Sequence, residues 1–365
     1  MPQKTPSSPK KKPKVHHDLP HDIQEWVDRQ RSVIKENFLH TNKASDCLLA
    51  QSDLVDELLL GLPSGNKSTS QNVALVAVGG YGRRDLFPHS DVDLMFLHSE
   101  EKDTVETYAQ KILYPLWDLK LKVGHAVRTI EETIIACQDH TVLTALLDAR
   151  FITGDKKLFS KFQKEFDAVK KKAGDYTFVR QKLDERKTRH QTWGDSRYLL
   201  EPNVKEGKGG LRDLHTLYWL ARYCYDIKGV RDLPELGIFT KEELQDFKRA
   251  ENFLSIVRIH LHYLNERSDD RLTFDAQCRI ASSLGFRGAD SNQAVERFMK
   301  RYFQVAGTVG RLTRQFCATL EADKNARQSF HKRKLKLSRR ILRHSFLKAN
   351  GLPFQKQRII LSIHF

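Results

Sequence analysis

Residues 73–97 set the tightest limit on what this chain can become. Apolar Val73–Val78 runs into the turn Gly79-Gly80-Tyr81-Gly82, and Asp91-Val92-Asp93 opens a second apolar run, Leu94–Leu97. The spacing predicts a strand, a glycine turn, a short helix and a second strand that begins with two carboxylates. Side chains at i and i+2 of a strand share a face with Cα atoms about 6.6 Å apart, so Asp91 and Asp93 can converge on one or two hard cations. Val92, Leu94 and Phe96 then face a core. Glycines let the backbone turn sharply and approach a ligand, and N–H groups opening a helix suit a phosphate. These parts together predict a metal–triphosphate site.

Asp-x-Asp alone is common on solvated strand faces; the whole pattern carries the inference. Two competing phosphate motifs fail on their residues. A dinucleotide fingerprint starting at Gly80-Tyr81-Gly82 needs a glycine where Asp85 stands. Gly61–Ser68 mimics a P-loop but lacks one spacer residue, has Asn66 between Gly65 and Lys67, and follows no strand. That segment reads as a flexible linker.

A length of 365 residues accommodates two domains with real cores, and a hydrophobic share of 39% is ordinary for a soluble protein. The net charge of +16 suggests nucleic acid until it is mapped. Residues 1–19 carry +4 and residues 324–365 carry +12, so residues 20–323 are neutral overall. The body lacks the electrostatic footprint of a nucleic-acid enzyme, and no nucleic-acid partner is expected. Five cysteines without CxxC or CxxH spacing argue against a disulfide framework or a zinc site and suit a reducing cytosol. No run approaches the length of a transmembrane span.

The expected organisation is a disordered basic tail over 1–19, helices over 20–62 carrying Ile23, Trp26, Val27, Leu48, Leu49, Leu54, Leu58 and Leu59, and a linker at Pro63–Ser70. An α/β domain over 71–155 follows. Its third strand is expected at Lys122–Arg128, reached through an amphipathic helix with Val105, Tyr108, Ile112 and Leu116. Residues 156–323 read as helical, with long stripes over Leu244–Leu264 and Val295–Leu320 and a capping pair at Asp290 and Gln293. His260 and His262 are two apart on a helix, a poor metal pair, and read as structural. A basic tail over 324–365 closes the chain.

Glu201–Leu214, EPNVKEGKGGLRDL, is too rich in glycine and charge for a core element and leads into the apolar helix Leu214–Ala221. It reads as a loop that needs positive φ at several points and brings Lys205 and Arg212 toward a ligand near a helix N-terminus. The other reading is an interdomain turn with solvated charges.

The stretch from Gly79 to Asp93 resembles the signature of the DNA polymerase β-like nucleotidyltransferases. Taken with LYPLWDLKLKVGHAVRTIEE, LLDARFITGD, GDSRYLLEPNVKEGKGGLRDLHTL and DRLTFDAQ in this order, residues 20 to 321 resemble the bacterial PII-protein uridylyltransferases, the bifunctional uridylyltransferase/uridylyl-removing enzymes. The resemblance implies an α+β fold, a polymerase β-like domain with a small mixed sheet followed by an all-helical domain. It implies transfer of UMP from UTP to a tyrosine of the nitrogen-signalling protein PII, with Mg²⁺, in the cytoplasm. Asp91 and Asp93 would hold the metal, Gly79, Gly80 and Ser90 would line the phosphates, and Arg83, Lys205 and Arg212 would offset phosphate charge. A third carboxylate on the strand Lys122–Arg128 is missing; Asp148 is one candidate and a salt bridge from it to Arg150 is the other reading. Two alternatives stay open: a nucleotidyltransferase with another nucleotide or acceptor, and a nucleotide-binding remnant without turnover.

Full-length members continue into a uridylyl-removing HD domain and glutamine-sensing ACT domains. Neither is expected after residue 323, and His331–Phe365 does not resemble the family's continuation. A frameshifted or truncated gene is the expectation; the rival is a basic amphipathic helix bearing Leu335, Leu337, Ile341, Leu342 and Phe346 on an anionic surface.

Overall fold

The computed structural model describes residues 22–62, 72–99, 102–172, 176–227 and 229–349, with residues 323–349 given by their backbone alone. The basic segment expected at 1–19, the linker Pro63–Ser70 and residues 350–365 lie outside the described residues. Backbone contacts divide the chain into two units, residues 1–311 and 312–365. Within the second, residues 312–349 are helical.

Two N-terminal helices, α1 (Ile23–Thr41) and α2 (Ala44–Gly61), are joined at Asn42, whose left-handed backbone (φ 51°) lets its N–H cap Phe38 O. Val27, Leu48, Leu54, Leu58 and Leu59 are buried as their spacing predicts, whereas Leu49 faces out. The α/β part follows in the order β1 (Val73–Ala77), α3 (Gly79–Gly82), β2 (Val92–His98), α4 (Lys102–Asp118), β3 (Val123–Arg128), α5 (Ile130–Ala136), α6 (His140–Leu147) and β4 (Arg150–Gly154). The helical remainder is α7 (Lys156–Lys172), α8 (Thr177–Thr192), α9 (Leu211–Tyr225), α10 (Lys241–Asn265), α11 (Phe274–Ser283) and α12 (Ser291–Ala349).

The sheet has four strands in the order β3-β2-β1-β4, antiparallel at β2–β1 and β1–β4 and parallel at β2–β3. A parallel pair needs a crossover, and α4 supplies it. Val105, Tyr108, Ile112 and Leu116 of α4 pack with Val92, Leu94 and Phe96 as their helical spacing predicts. The opposite face of β2 is covered as well, since Met95 meets Thr133 of α5, so β2 is apolar on both faces beyond Asp93. Sequence reasoning saw one covered face because α5 and the edge strand β4 lack strong periodicity. The third strand starts at Val123, one residue later than expected.

Helix α9 begins at Leu211, three residues ahead of the expected start, behind an extended Gly210. Leu244, Phe247, Leu254, Val257 and Leu261 of α10 are buried, and α12 buries Phe298, Met299, Tyr302 and Val305. Asp290 accepts the Gln293 N–H at 2.8 Å, and the Gln293 side chain accepts the Ala289 N–H at 2.8 Å, closing the expected cap one residue further out. Helix α12 shows no break at residue 323.

Candidate active site

Helix α3 is only four residues long, so its place is fixed by neighbours. Buried Tyr81 donates its hydroxyl to Asp56 of α2 at 2.5 Å, and Arg150 of β4 clamps the same carboxylate at 2.8 and 3.0 Å. Arg84, at φ 66°, adds a contact to Asp56 at 2.9 Å. A Cβ at Gly82 would lie 2.2 Å from Asp148 O, so only glycine permits this approach of α3 to the end of α6.

These anchors aim the start of α3 at the start of β2. The Val78 N–H bonds to Asp93 O at 3.1 Å, and Gly79 sits at φ 59°. A Cβ on Gly79 would lie 3.2 Å from Asp93 Oδ2, and one on Gly124 of β3 would lie 2.7 Å from Asp93 Oδ1. The Asp93 carboxylate therefore stands between two glycines. Gly124 pairs with Asp93 in the β2–β3 ladder, which explains why the neighbouring strand offers no carboxylate at that level. Asp91, just ahead of β2, is exposed, and Asp93 is half-buried. Among the described residues neither side chain accepts a hydrogen bond or forms an ion pair. Burial, and then the charge of Asp91, push the Asp93 carboxyl above its ordinary value, while Lys205 pulls it back. Two unneutralised carboxylates this close fit a divalent cation, with water and phosphate oxygens completing its shell. No cluster of three or more His, Cys, Asp or Glu side chains suited to a metal occurs among the described residues.

The three candidate cations have different surroundings. Arg83 is turned inward, with Nη1 2.5 Å from Asp148 and Nε 3.1 Å from Asp85, and it lies over the Trp219 ring. Asp148, with a fully buried side chain, also accepts from Trp219 Nε1 at 2.8 Å and Arg222 at 3.2 Å. The salt bridge considered between Asp148 and Arg150 does not form, because Arg150 is held by Asp56. Lys205, by contrast, is part of the electrostatic environment of Asp93, and its own charge is disfavoured by burial, then by Arg258 and Arg212. Arg212 bonds Glu206 at 3.1 Å and lies 5.4 Å from the centre of the same Trp219 ring. Ser90 closes a turn through its N–H to Phe87 O at 3.1 Å, immediately before Asp91.

The loop carrying Lys205 is compact. Asn203 Oδ1 accepts the N–H groups of Lys205 at 3.0 Å and Glu206 at 2.6 Å, and the Arg212 N–H returns to Lys205 O at 2.9 Å. Only Gly209 has positive φ here (86°); Gly207 and Gly210 are required by close approach, since a Cβ would meet Asn203 O at 2.5 Å and Val204 O at 2.6 Å. Buried Asp213 ties the loop to α8, accepting from Gly209 N at 2.9 Å, Arg189 at 2.7 Å, Arg186 at 3.1 Å and His190 at 2.9 Å. Its partners outweigh burial and hold its carboxyl far below the usual range.

Sequence reasoning missed Arg258. It lies 4.0 Å above the Phe87 ring, bonds Asp270 at 2.7 Å, and adds to the positive field on Lys205. His262 bridges Pro88 O and Asp270, and His260 meets Asn42 at 2.8 Å, so both histidines are structural and His262 fixes the turn before Asp91. Nothing local marks Arg258, because Phe87 and the loop carrying Lys205 reach it only through the fold.

The nucleotidyltransferase domain family matches residues 62–152, and the GlnD PII-uridylyltransferase family matches residues 177–317. Relatives named bifunctional uridylyltransferase/uridylyl-removing enzyme occur in Rhodospirillum rubrum, 44% identical over 81% of this chain, and in Azospirillum brasilense, 42% identical over 82%. A third, from Novosphingobium aromaticivorans, is 44% identical over 76% of the chain. The chain spans about a third of these relatives' length, 33%, 33% and 32%. No described helix is long and apolar enough to cross a membrane. By both domain matches and these identities, the chain belongs to the PII-uridylyltransferase family and carries its nucleotidyltransferase part.

Proposed function

We propose that this chain transfers UMP from UTP to a tyrosine hydroxyl of a PII signalling protein in the cytoplasm. The tyrosine oxygen attacks the α-phosphorus, the bond from that phosphorus to the α,β-bridging oxygen breaks, pyrophosphate leaves with the bonding electrons, and the phenolic proton passes to solvent. The observation that carries the reading is the pair Asp91 and Asp93 beside the glycine turn, unpaired by any cation among the described residues, with Asp93 in the field of Lys205.

The two carboxylates would hold Mg²⁺, which supplies charge neutralisation on the triphosphate and acidifies the attacking hydroxyl. Gly79 and Gly80 leave room for phosphate oxygens against the backbone, and Ser90 offers a hydroxyl. Lys205, with Arg212 and Arg258 behind it, offsets phosphate charge at a site where burial strengthens each interaction. The relatives' name supports the uridylyl group, and the name of the matching PII-uridylyltransferase family supports the PII acceptor. Incubating the purified chain with PII, Mg²⁺ and labelled UTP or ATP tests it. UMP incorporation on tyrosine is expected; exclusive incorporation of AMP, or none, defeats the reading.

A further inference from the structure

Helix α10 carries Lys248, Glu251, Asn252 and Ser255, spaced i, i+3, i+4 and i+7, on one face. A polar face at this spacing is normally left to solvent. Here it lines a cavity of about 190 Å³ together with Leu48 of α2, Phe87 and His215 of α9. His215 is 8% exposed and Ser255 5%, yet neither side chain hydrogen-bonds a described residue, nor do those of Lys248, Glu251 or Asn252. His215 and Ser255 are buried, Lys248 and Glu251 half-buried and Asn252 exposed, so the unpartnered polar groups line an open recess in which they stay accessible to a ligand.

The cavity adjoins the phosphate side of the active site. His215 lies in the field of Arg83, Arg212, Arg258 and Lys205. Phe87 presents its ring to Arg258 as well as to the cavity. Asp85, on the cavity wall, bonds back to Gly80 O at 2.9 Å. The volume is below the roughly 300–1,000 Å³ that whole drug-sized ligands occupy and suits one ring of a ligand whose remainder lies outside.

We propose that this cavity receives the uracil ring of UTP, with Glu251 accepting the ring N3–H, Lys248 and Asn252 donating to the flanking carbonyl oxygens, and Leu48 and Phe87 covering the ring faces. Uracil presents acceptor, donor, acceptor along one edge, and the α10 face can supply donors from Lys248 and Asn252 and an acceptor from Glu251. Cytosine places a lone pair where uracil has the N3–H, so it meets the carboxylate acceptor to acceptor and is disfavoured. The assignment rests on the uridylyl-transfer reading and names the part of the site that selects the base.

Calorimetry with Mg²⁺ on the wild type, Glu251→Ala and Asn252→Ala, titrated with UTP, CTP and inorganic tripolyphosphate, separates the two. The wild type is expected to prefer UTP to CTP. Each variant should lose about tenfold or more in UTP affinity, keep its tripolyphosphate affinity, and lose the preference over CTP. Asn252 is exposed, so its variant remains folded even where the Glu251 variant does not. Variants that bind UTP as the wild type does, or that lose tripolyphosphate in step with UTP, overturn the cavity assignment alone. A wild type that binds tripolyphosphate but shows no affinity for UTP overturns the uridylyl-transfer reading and the cavity with it.

Discussion

Gly124 faces Asp93 across the parallel β2–β3 ladder so closely that a single added carbon would sit 2.7 Å from the carboxylate oxygen. Gly124 has no positive φ, so its backbone accepts an alanine and the carboxylate, the mobile partner, must move. Gly124→Ala should therefore lower the rate of nucleotidyl transfer by about a hundredfold, the usual cost of misplacing a reacting group by an ångström. The unfolding midpoint should change little. Rates near wild type, or a collapse of stability, would show that the two residues do not constrain each other in this way.

Asp91→Asn and Asp93→Asn remove anionic ligands at nearly constant volume. Each should abolish transfer and weaken Mn²⁺ binding measured by calorimetry, while circular dichroism stays that of the wild type. Retained Mn²⁺ affinity in both variants would remove the carboxylates from the metal site.

Arg83 is the candidate whose neighbours point away from the nucleotide. Its guanidinium is 10% exposed and holds a carboxylate that is fully buried. Arg83→Ala should destabilise the fold by about 3 kcal/mol, because a buried charge loses its principal partner. In urea titrations this appears as a lower midpoint with an unchanged slope. Should stability hold while tripolyphosphate affinity falls tenfold, Arg83 belongs with Lys205 after all.

Burial, and then the charge of Asp85, push Glu251 up to about 7, against the pull of Arg83 and Lys248, with neutral His215 on the same cavity wall. A carboxyl whose folded value is raised costs stability wherever it must ionise. The cost is absent below about pH 4.3, the unfolded value, grows through the interval up to about 7, and is constant above it. Glu251→Gln should raise the thermal midpoint at pH 8 and leave it nearly unchanged at pH 4. An equal effect at both values would mean that the Glu251 charge is already well solvated.

Much of the fold was legible because it is written in short-range pattern. The stripe Val105, Tyr108, Ile112 and Leu116 needs only 3.6-residue periodicity to announce a helix against a sheet, and the turn from Gly79 to Asp93 announces itself by glycine and carboxylate spacing. Strand β4 and helix α5 were harder to see, since an edge strand of five residues and a helix of seven carry too few positions to define a period.

By itself the sequence placed Asp91 and Asp93 beside the glycine turn that starts at Gly79, because those residues lie within one strand–turn–strand unit and local geometry brings them together. Only the tertiary structure decided what surrounds each candidate cation. Arg83, Lys205 and Arg212 look alike as basic residues beside glycines. Folding places Asp148 against the first, Glu206 against the third and Asp93 near the second, and it adds Arg258 from a helix with no motif around it. A charge acts through whatever stands within a few ångströms of it, and for Arg83 and Lys205 that neighbour comes from tens of positions away in the chain.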